Sequence, residues 1–243
     1  MLRIESLVYV LVLVWVSLFI GLRSNTVRFV LKLPPKQNEV PEPIEEPVNP
    51  PEPSILIFPE SALAHKLLDG LHGIEIGGSA HNPFGLKALN VDFTDDETTE
   101  FKKDEIKLCG KALKVDVVAS GDDLPFKDNT VDFVISSHVI EHFYDPIKTV
   151  KEWLRVVKPE GYVYIIAPHK ERTYDKERPR TTLAEIIDRH EHPNPPEIDD
   201  HHHYSVWITQ DFVDICNHYQ WKIMEVQDID DKVTNGFTIV IQK

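Results

Sequence analysis

The chain has 243 residues and a formal net charge of −14, enough for one sizeable domain with additional segments. That acidity argues against a phosphate backbone as the main partner, because nucleic-acid affinity needs a basic face; no nucleic acid is expected. Two cysteines, Cys109 and Cys216, exclude a disulfide scaffold, and no Asn-x-Ser/Thr sequon occurs.

Residues 6–22 (SLVYVLVLVWVSLFIGL) carry no charge and as a helix would span about 25 Å, the short end for a bilayer crossing. The segment before the run is only Met1-Leu2-Arg3, and no Ala-x-Ala-like cleavage site follows, so a retained anchor over residues 1–33 is expected rather than a signal peptide. Arg23, Arg28, Lys32 and Lys36 follow the run and Arg3 alone precedes it. The positive-inside rule then predicts a single-pass membrane protein with its C-terminal domain facing the cytoplasm. Residues 34–53 hold eight prolines and five glutamates. This composition cannot form a core and predicts a stiff, extended linker or disordered filler.

From residue 54 to 243 short β-branched runs alternate with helical stretches. Strands are expected at Gly73–Gly77, Ala88–Asp92, Lys114–Ala119, Val131–Ser136, Tyr162–Ala167, Lys222–Gln227 and Phe237–Ile241. Several are continuous apolar runs, the mark of strands covered on both faces. Asp145–Val157 places apolar residues at 147, 150, 153, 154 and 157, one buried helical face, with Asp145 as N-cap and Pro146 at N1. Lys158-Pro159-Glu160-Gly161 predicts a turn into the next strand. Gln210–Tyr219 predicts a second helix capped by Thr209. Asn235-Gly236 marks a turn between the last two strands, which read as an antiparallel hairpin at the sheet edge. The pattern predicts an α/β domain: a doubly wound, mostly parallel seven-stranded sheet with a C-terminal antiparallel hairpin and ligands at the strand C-termini.

Four short motifs fall at those strand ends: Gly73-Ile74-Glu75-Ile76-Gly77-Gly78, Asn90-Val91-Asp92, Asp122-Asp123-Leu124-Pro125-Phe126 and Val131 to His138 ending in Ser136-Ser137-His138. In this order they resemble the class I S-adenosylmethionine-dependent methyltransferases of the type 11 kind, over about residues 70–243. The resemblance implies a Rossmann-like methyltransferase fold with S-adenosylmethionine as cofactor. It implies Glu75, Gly77, Gly78 and Ser79 in the first cofactor loop, Asp92 on the ribose, Asp123 and Leu124 beside adenine, and Ser137 and His138 along the methionine portion. Ser79 and His81 stand at the second and third glycine positions of the family loop. Only 14 residues separate Gly77 from Asp92, so the first helix is expected to be short or missing.

About 38 residues separate Pro168 from Trp207, more than a plain crossover needs. This insertion, about 169–206, is expected to build an acceptor pocket and lid over the cofactor. His169, directly after a strand end, is the first candidate base and His142 the second; Arg172, Arg180 and His203 are candidate acceptor-binding residues. The histidines of the insertion, His201 to His203 among them, admit three readings: acceptor recognition, a metal site, or a solvated run. Their spacing matches no defined metal motif, and no metal is assigned. The predicted activity is methyl transfer to an oxygen or nitrogen of a small-molecule or lipid-linked acceptor, with a membrane-tethered, non-catalytic cofactor-binding or scaffolding domain as the alternative. A nicotinamide oxidoreductase is disfavoured, because the Gly-x-Gly-x-x-Gly fingerprint is absent.

Overall fold

The computed structural model describes residues 55–196 and 202–243; the predicted anchor and linker, and His201, lie outside the described residues. The described residues belong to one compact unit. Its elements in chain order are α1 (Ala62–Leu68), β1 (Gly73–Ile76), β2 (Ala88–Asp92), α2 (Glu100–Cys109), β3 (Val117–Val118), β4 (Val131–Ser137), α3 (Pro146–Val156), β5 (Val157–Pro168), α4 (Leu183–Glu191), α5 (Thr209–His218), β6 (Lys222–Gln227) and β7 (Gly236–Gln242).

The strands form one sheet in the order β3-β2-β1-β4-β5-β7-β6. β1 to β5 pair in parallel, and β7 runs antiparallel between β5 and β6. The central strands are buried on both faces, and their alternation feeds two cores. Ile74, Val134, Val163 and Ile165 face a layer built from α3, α4 and α5 around Trp153, Ile186 and Phe212. Phe133, Ile135, Tyr164, Ile166 and Val240 face Leu63, Ala64 and Leu68 of α1, together with Phe84.

That second face explains the missing first helix. The β1–β2 connection contains no helix, as its length implies, and α1, which precedes β1, covers the sheet instead. Ser61 caps α1 through the Ala64 N–H (3.0 Å) and shares a hydrogen bond of 2.9 Å with the Tyr164 hydroxyl.

Three local expectations are corrected. The Lys158–Gly161 turn is absorbed into β5, which begins directly after α3; a register shift between Val131 and Phe133 and a positive φ of 65° at Glu160 take up the extra residues. β3 is shorter than predicted, two residues at the sheet edge beside β2. Thr209 does not cap α5 but is its first residue: its hydroxyl bonds Asp228, and the Asp211 carboxylate accepts from the Ile208 N–H at 2.9 Å. The predicted hairpin forms, and its loop is organised by buried Asp230, which accepts from the N–H groups of Lys232, Val233, Thr234 and Gly236.

Candidate active site

The sheet order reverses between β1 and β4, the place where open α/β sheets bind ligands. A cavity of about 720 Å³ lies there, at the C-terminal ends of β1 to β4. Gly77 has φ +66°, and a Cβ on it would lie 2.7 Å from Val139 Cγ2. A Cβ on Gly78 would lie 2.7 Å from Asn90 Oδ1 and 2.9 Å from the Glu75 carboxyl carbon. Glycine is therefore required at Gly77 for conformation and space, and at Gly78 a side chain would have to displace the ends of Asn90 and Glu75. Past them the loop departs from the glycine-rich pattern. Ser79 Oγ and His81 Nδ1 are 2.5 Å apart, and both side chains line the cavity. The Ala80 N–H donates to Glu105 Oε1 rather than opening a helix.

On the β2 side, Asp92 Oδ1 accepts from the Phe93 N–H (2.8 Å), and Oδ2 lies 3.1 Å from Lys102 Nζ. Lys102 also pairs with Glu105 at 3.3 Å, and both are buried. This Asp92–Lys102–Glu105 chain fixes α2 against the first loop. Glu75 is surrounded by protein at the cavity wall, and the loss of hydration pushes its carboxyl up to about 7, against the pull of Lys232. Asp122 lines the cavity, held by Ser120 Oγ at 2.5 Å and Lys148 Nζ at 2.8 Å.

The wall formed by the turn after β4 and the end of the insertion is the densest in ionisable groups. Glu141 is fully buried, neither of its carboxyl oxygens has a hydrogen-bond partner, and burial pushes it up to about 8. His142 Nε2, His203 Nε2 and His138 Nδ1 lie 3.8, 3.9 and 4.0 Å from Glu141 Oε1. His203 Nδ1 is 2.6 Å from Asp175 Oδ2, and Arg178 pairs with the other oxygen of Asp175 at 2.6 Å. Burial holds both His203 and His138 below the usual imidazole range, His138 at about 4.

Of the residues singled out from sequence, Glu75, Gly77, Gly78, Ser79, Asp92, Ser137, His138, His142 and His203 line this one cavity. Five others do not. His169 is buried beyond β5: it bridges to Trp207, and its Nδ1 accepts from the Glu171 N–H at 3.1 Å, closing a short turn at 170–172. Arg172 is used in structure, pairing with the Asp228 carboxylate and carbonyl and with the Gly236 carbonyl, and so holds the hairpin loop. Arg180 lies half-exposed, 3.6 Å from Asp211. Asp123 points to solvent, so its neighbour Asp122 is the carboxylate at the cavity. Leu124 is buried in the core instead of at the cavity, its N–H donating to Glu152 at 2.7 Å. The insertion contributes His203 and Tyr204 to the cavity, whereas His190 pairs with Asp145 at 2.8 Å and His192 with Asp188 at 3.1 Å.

Sequence reading missed Lys102, Glu105 and Glu141. Glu141 had a signal, a lone acid within the apolar Val139-Ile140-Glu141-His142. α4 had one too, in the capping box of Thr182 with Glu185.

Residues 80–165 match the methyltransferase-domain family. An uncharacterised protein of Methanocaldococcus jannaschii is 34% identical over 96 residues, which are 38% of this chain and 42% of that protein. An uncharacterised methyltransferase of Mycolicibacterium paratuberculosis is 35% identical over 106 residues, 42% of this chain and 38% of its own length. The chain thus spans less than half the length of these curated relatives. A crystal structure from Thermotoga maritima, titled an S-adenosylmethionine-dependent methyltransferase and possible histamine N-methyltransferase, superposes with TM-score 0.46 at 19% identity, covering 74% of this chain and 84% of that one. These likenesses support a class I S-adenosylmethionine-dependent methyltransferase domain in this chain. S-adenosylmethionine is the cofactor of that class, and the cavity volume falls in the range that holds ligands of its size.

Proposed function

We propose that this domain transfers a methyl group from S-adenosylmethionine to an oxygen or nitrogen of a small or membrane-associated acceptor. The observation that carries the reading is that one cavity joins the Gly77-Gly78 loop and Asp92 to the polar wall of Glu141, His142 and His203. When bound, S-adenosylmethionine supplies an electrophilic methyl group on a sulfonium. Asp92 retains lone pairs for ribose hydroxyls beside its contacts with Phe93 and Lys102, and Asp122 takes the adenine role that the sequence pointed to at Asp123. Glu75 offers a carboxylate to the amino group of the methionine portion. Methyl transfer is a displacement, so the chain contributes chiefly alignment and exclusion of water. If the acceptor starts protonated, His142 replaces His169 as the base within reach.

Residues 6–22 and the basic residues after them support a tether that keeps this chemistry at the cytoplasmic face of a membrane. Among the described residues no helix is long and apolar enough to cross one, so the proposal rests on the sequence of the N-terminal run.

The test is incubation of the full chain with methyl-labelled cofactor and fractionated polar and lipid extracts. Label in an O-methyl or N-methyl product supports the reading. Cofactor binding without transfer to any fraction supports a non-catalytic tethered domain instead, an alternative that Ser79 and His81 in the loop and the Lys102 partner of Asp92 keep specific.

A further inference from the structure

We propose that the cavity wall after β4 binds a small protonated amine as the methyl acceptor, with Glu141 as its counter-ion, so that the atom methylated is nitrogen. The inference deepens the methyl-transfer reading and rests on it.

The charge around the cavity carries the argument. Among the described residues five carboxyl groups line it, those of Glu75, Asp92, Glu105, Asp122 and Glu141, against one lysine, Lys102, and no arginine. Four of the five are accounted for. Lys102 pairs with Asp92 and Glu105, and Lys148 and Ser120 hold Asp122. Glu75 is assigned above to the amino group of the cofactor. Glu141 is left over. It is fully buried, and neither of its oxygens has a hydrogen-bond partner. The histidines that face it do not supply one. Nε2 of His142, Nε2 of His203 and Nδ1 of His138 lie 3.8, 3.9 and 4.0 Å from Oε1, beyond hydrogen-bond reach. His203 is committed elsewhere: its Nε2 accepts from the Tyr174 hydroxyl, and its Nδ1–H donates to Asp175. A buried carboxyl group without donors is costly. Burial, with the Asp175 charge nearby, pushes Glu141 up to about 8. An ammonium brings both N–H donors and the opposite charge, which a hydroxyl acceptor does not.

The rest of the lining suits an amine better than an anion. Burial holds His81, His138 and His203 below the usual imidazole range, so they add no positive charge at neutral pH. Asn82 Oδ1 is a second buried acceptor without a partner on this cavity, while its Nδ2 donates to Ser137 Oγ at 3.2 Å. Phe93 and Tyr204 add ring surface, which favours a cation carried on an apolar frame. In the reaction Glu141 takes a proton from the bound ammonium, in place of His142 for this class of acceptor. The freed nitrogen lone pair forms the bond to the methyl carbon as the carbon–sulfur bond breaks and its electron pair stays on sulfur. The products are a methylated ammonium and the neutral thioether, and the proton on Glu141 passes to solvent.

The test is calorimetric titration of the full chain, mixed with excess S-adenosylhomocysteine, with phenethylamine and hexylamine at pH 7 in buffers of different ionisation enthalpy. The expected result is one saturable site per chain for at least one amine, at least tenfold tighter than for 2-phenylethanol or hexanol, the neutral partners of the same frames. At pH 7 Glu141 is mostly protonated before the ligand arrives, so uptake of the ammonium should release close to one proton, read from the dependence of the heat on buffer. That readout on the parent does not depend on a variant folding. Glu141→Gln should weaken the amine at least tenfold, abolish the proton release and leave S-adenosylhomocysteine affinity unchanged, whereas exposed His192→Ala should change nothing. Amines that bind no better than the alcohols overturn the proposal, as does binding without proton release or a folded Glu141→Gln chain that binds the amine as the parent does. A Glu141→Gln chain that loses S-adenosylhomocysteine and keeps the amine also overturns it, because Glu141 would then serve the cofactor. S-adenosylhomocysteine binding without amine preference rejects this inference and leaves the methyl-transfer reading standing. Amine binding through Glu141 in a chain that binds no S-adenosylhomocysteine supports the amine site and contradicts that reading.

Discussion

Glu75 sits at the end of β1 with its carboxyl pushed up to about 7 by burial. Its ordinary value is 4.5, so protonation favours the folded state: this contribution is complete below about 4.5 and is lost as the pH rises through about 7. A ligand bearing an ammonium group prefers the ionised form. S-adenosylmethionine affinity is therefore expected to rise between pH 6 and 8 and then level, as measured by calorimetry. Glu75→Gln should flatten that rise and should melt at a higher temperature than the parent at pH 8. Equal pH dependence in the two proteins would show that Glu75 is not the group that senses the ligand. Lys102 shows the other side of residue chemistry at the cavity. It bridges Asp92 at the cavity and buried Glu105, so Lys102→Met leaves both carboxylates without a counter-ion. A loss of several kcal/mol in denaturant unfolding is expected.

Among the elements, α1 takes over a covering role that a crossover helix would otherwise fill, and its attachment turns on Ser61. Ser61→Ala removes the N-cap and leaves the Tyr164 hydroxyl short of a partner. About 1–3 kcal/mol of stability should be lost in denaturant unfolding. The β6–β7 hairpin depends similarly on Asp230. Asp230→Ala orphans four N–H groups in a loop that supplies Asn235 and Val233 to the cavity. It should therefore weaken cofactor binding as well as the fold. β4, β5 and β7 were legible in sequence because continuous apolar runs have one physical explanation, burial on both faces. α2 was not. Its sequence EFKKDEIKLC is polar, and two of the three residues it buries, Lys102 and Glu105, are charged. Their partners, Asp92 and the backbone of Ala80 and Leu113, become neighbours only once the sheet has formed.

For the molecule as a whole, the mostly parallel sheet followed from the alternation of strands and helices and the closing hairpin from the Asn235-Gly236 turn, and the cavity formed where the motif order placed it. The polar wall was less legible. His169 and His203 look alike in sequence, but β5 runs on past Pro168 into a bridge to Trp207 and buries His169, whereas His203 returns to the cavity beside Glu141. No local pattern distinguishes a histidine that closes a turn from one brought back by an insertion. The N-terminal run makes a separate prediction. Expressed in cells, the full chain should stay with membranes through alkaline extraction, and a chain lacking residues 1–33 should be released; release of the full chain would contradict the tether.

The central claim is that this cavity binds S-adenosylmethionine through the β1 loop and Asp92. Its most direct test is calorimetric titration of the full chain and of Asp92→Ala with S-adenosylhomocysteine, the demethylated product. One site per chain with micromolar affinity is expected, weakened at least tenfold, about 1.4 kcal/mol, in Asp92→Ala. A folded chain that takes up no ligand, or a folded Asp92→Ala protein that binds as the parent does, would contradict it.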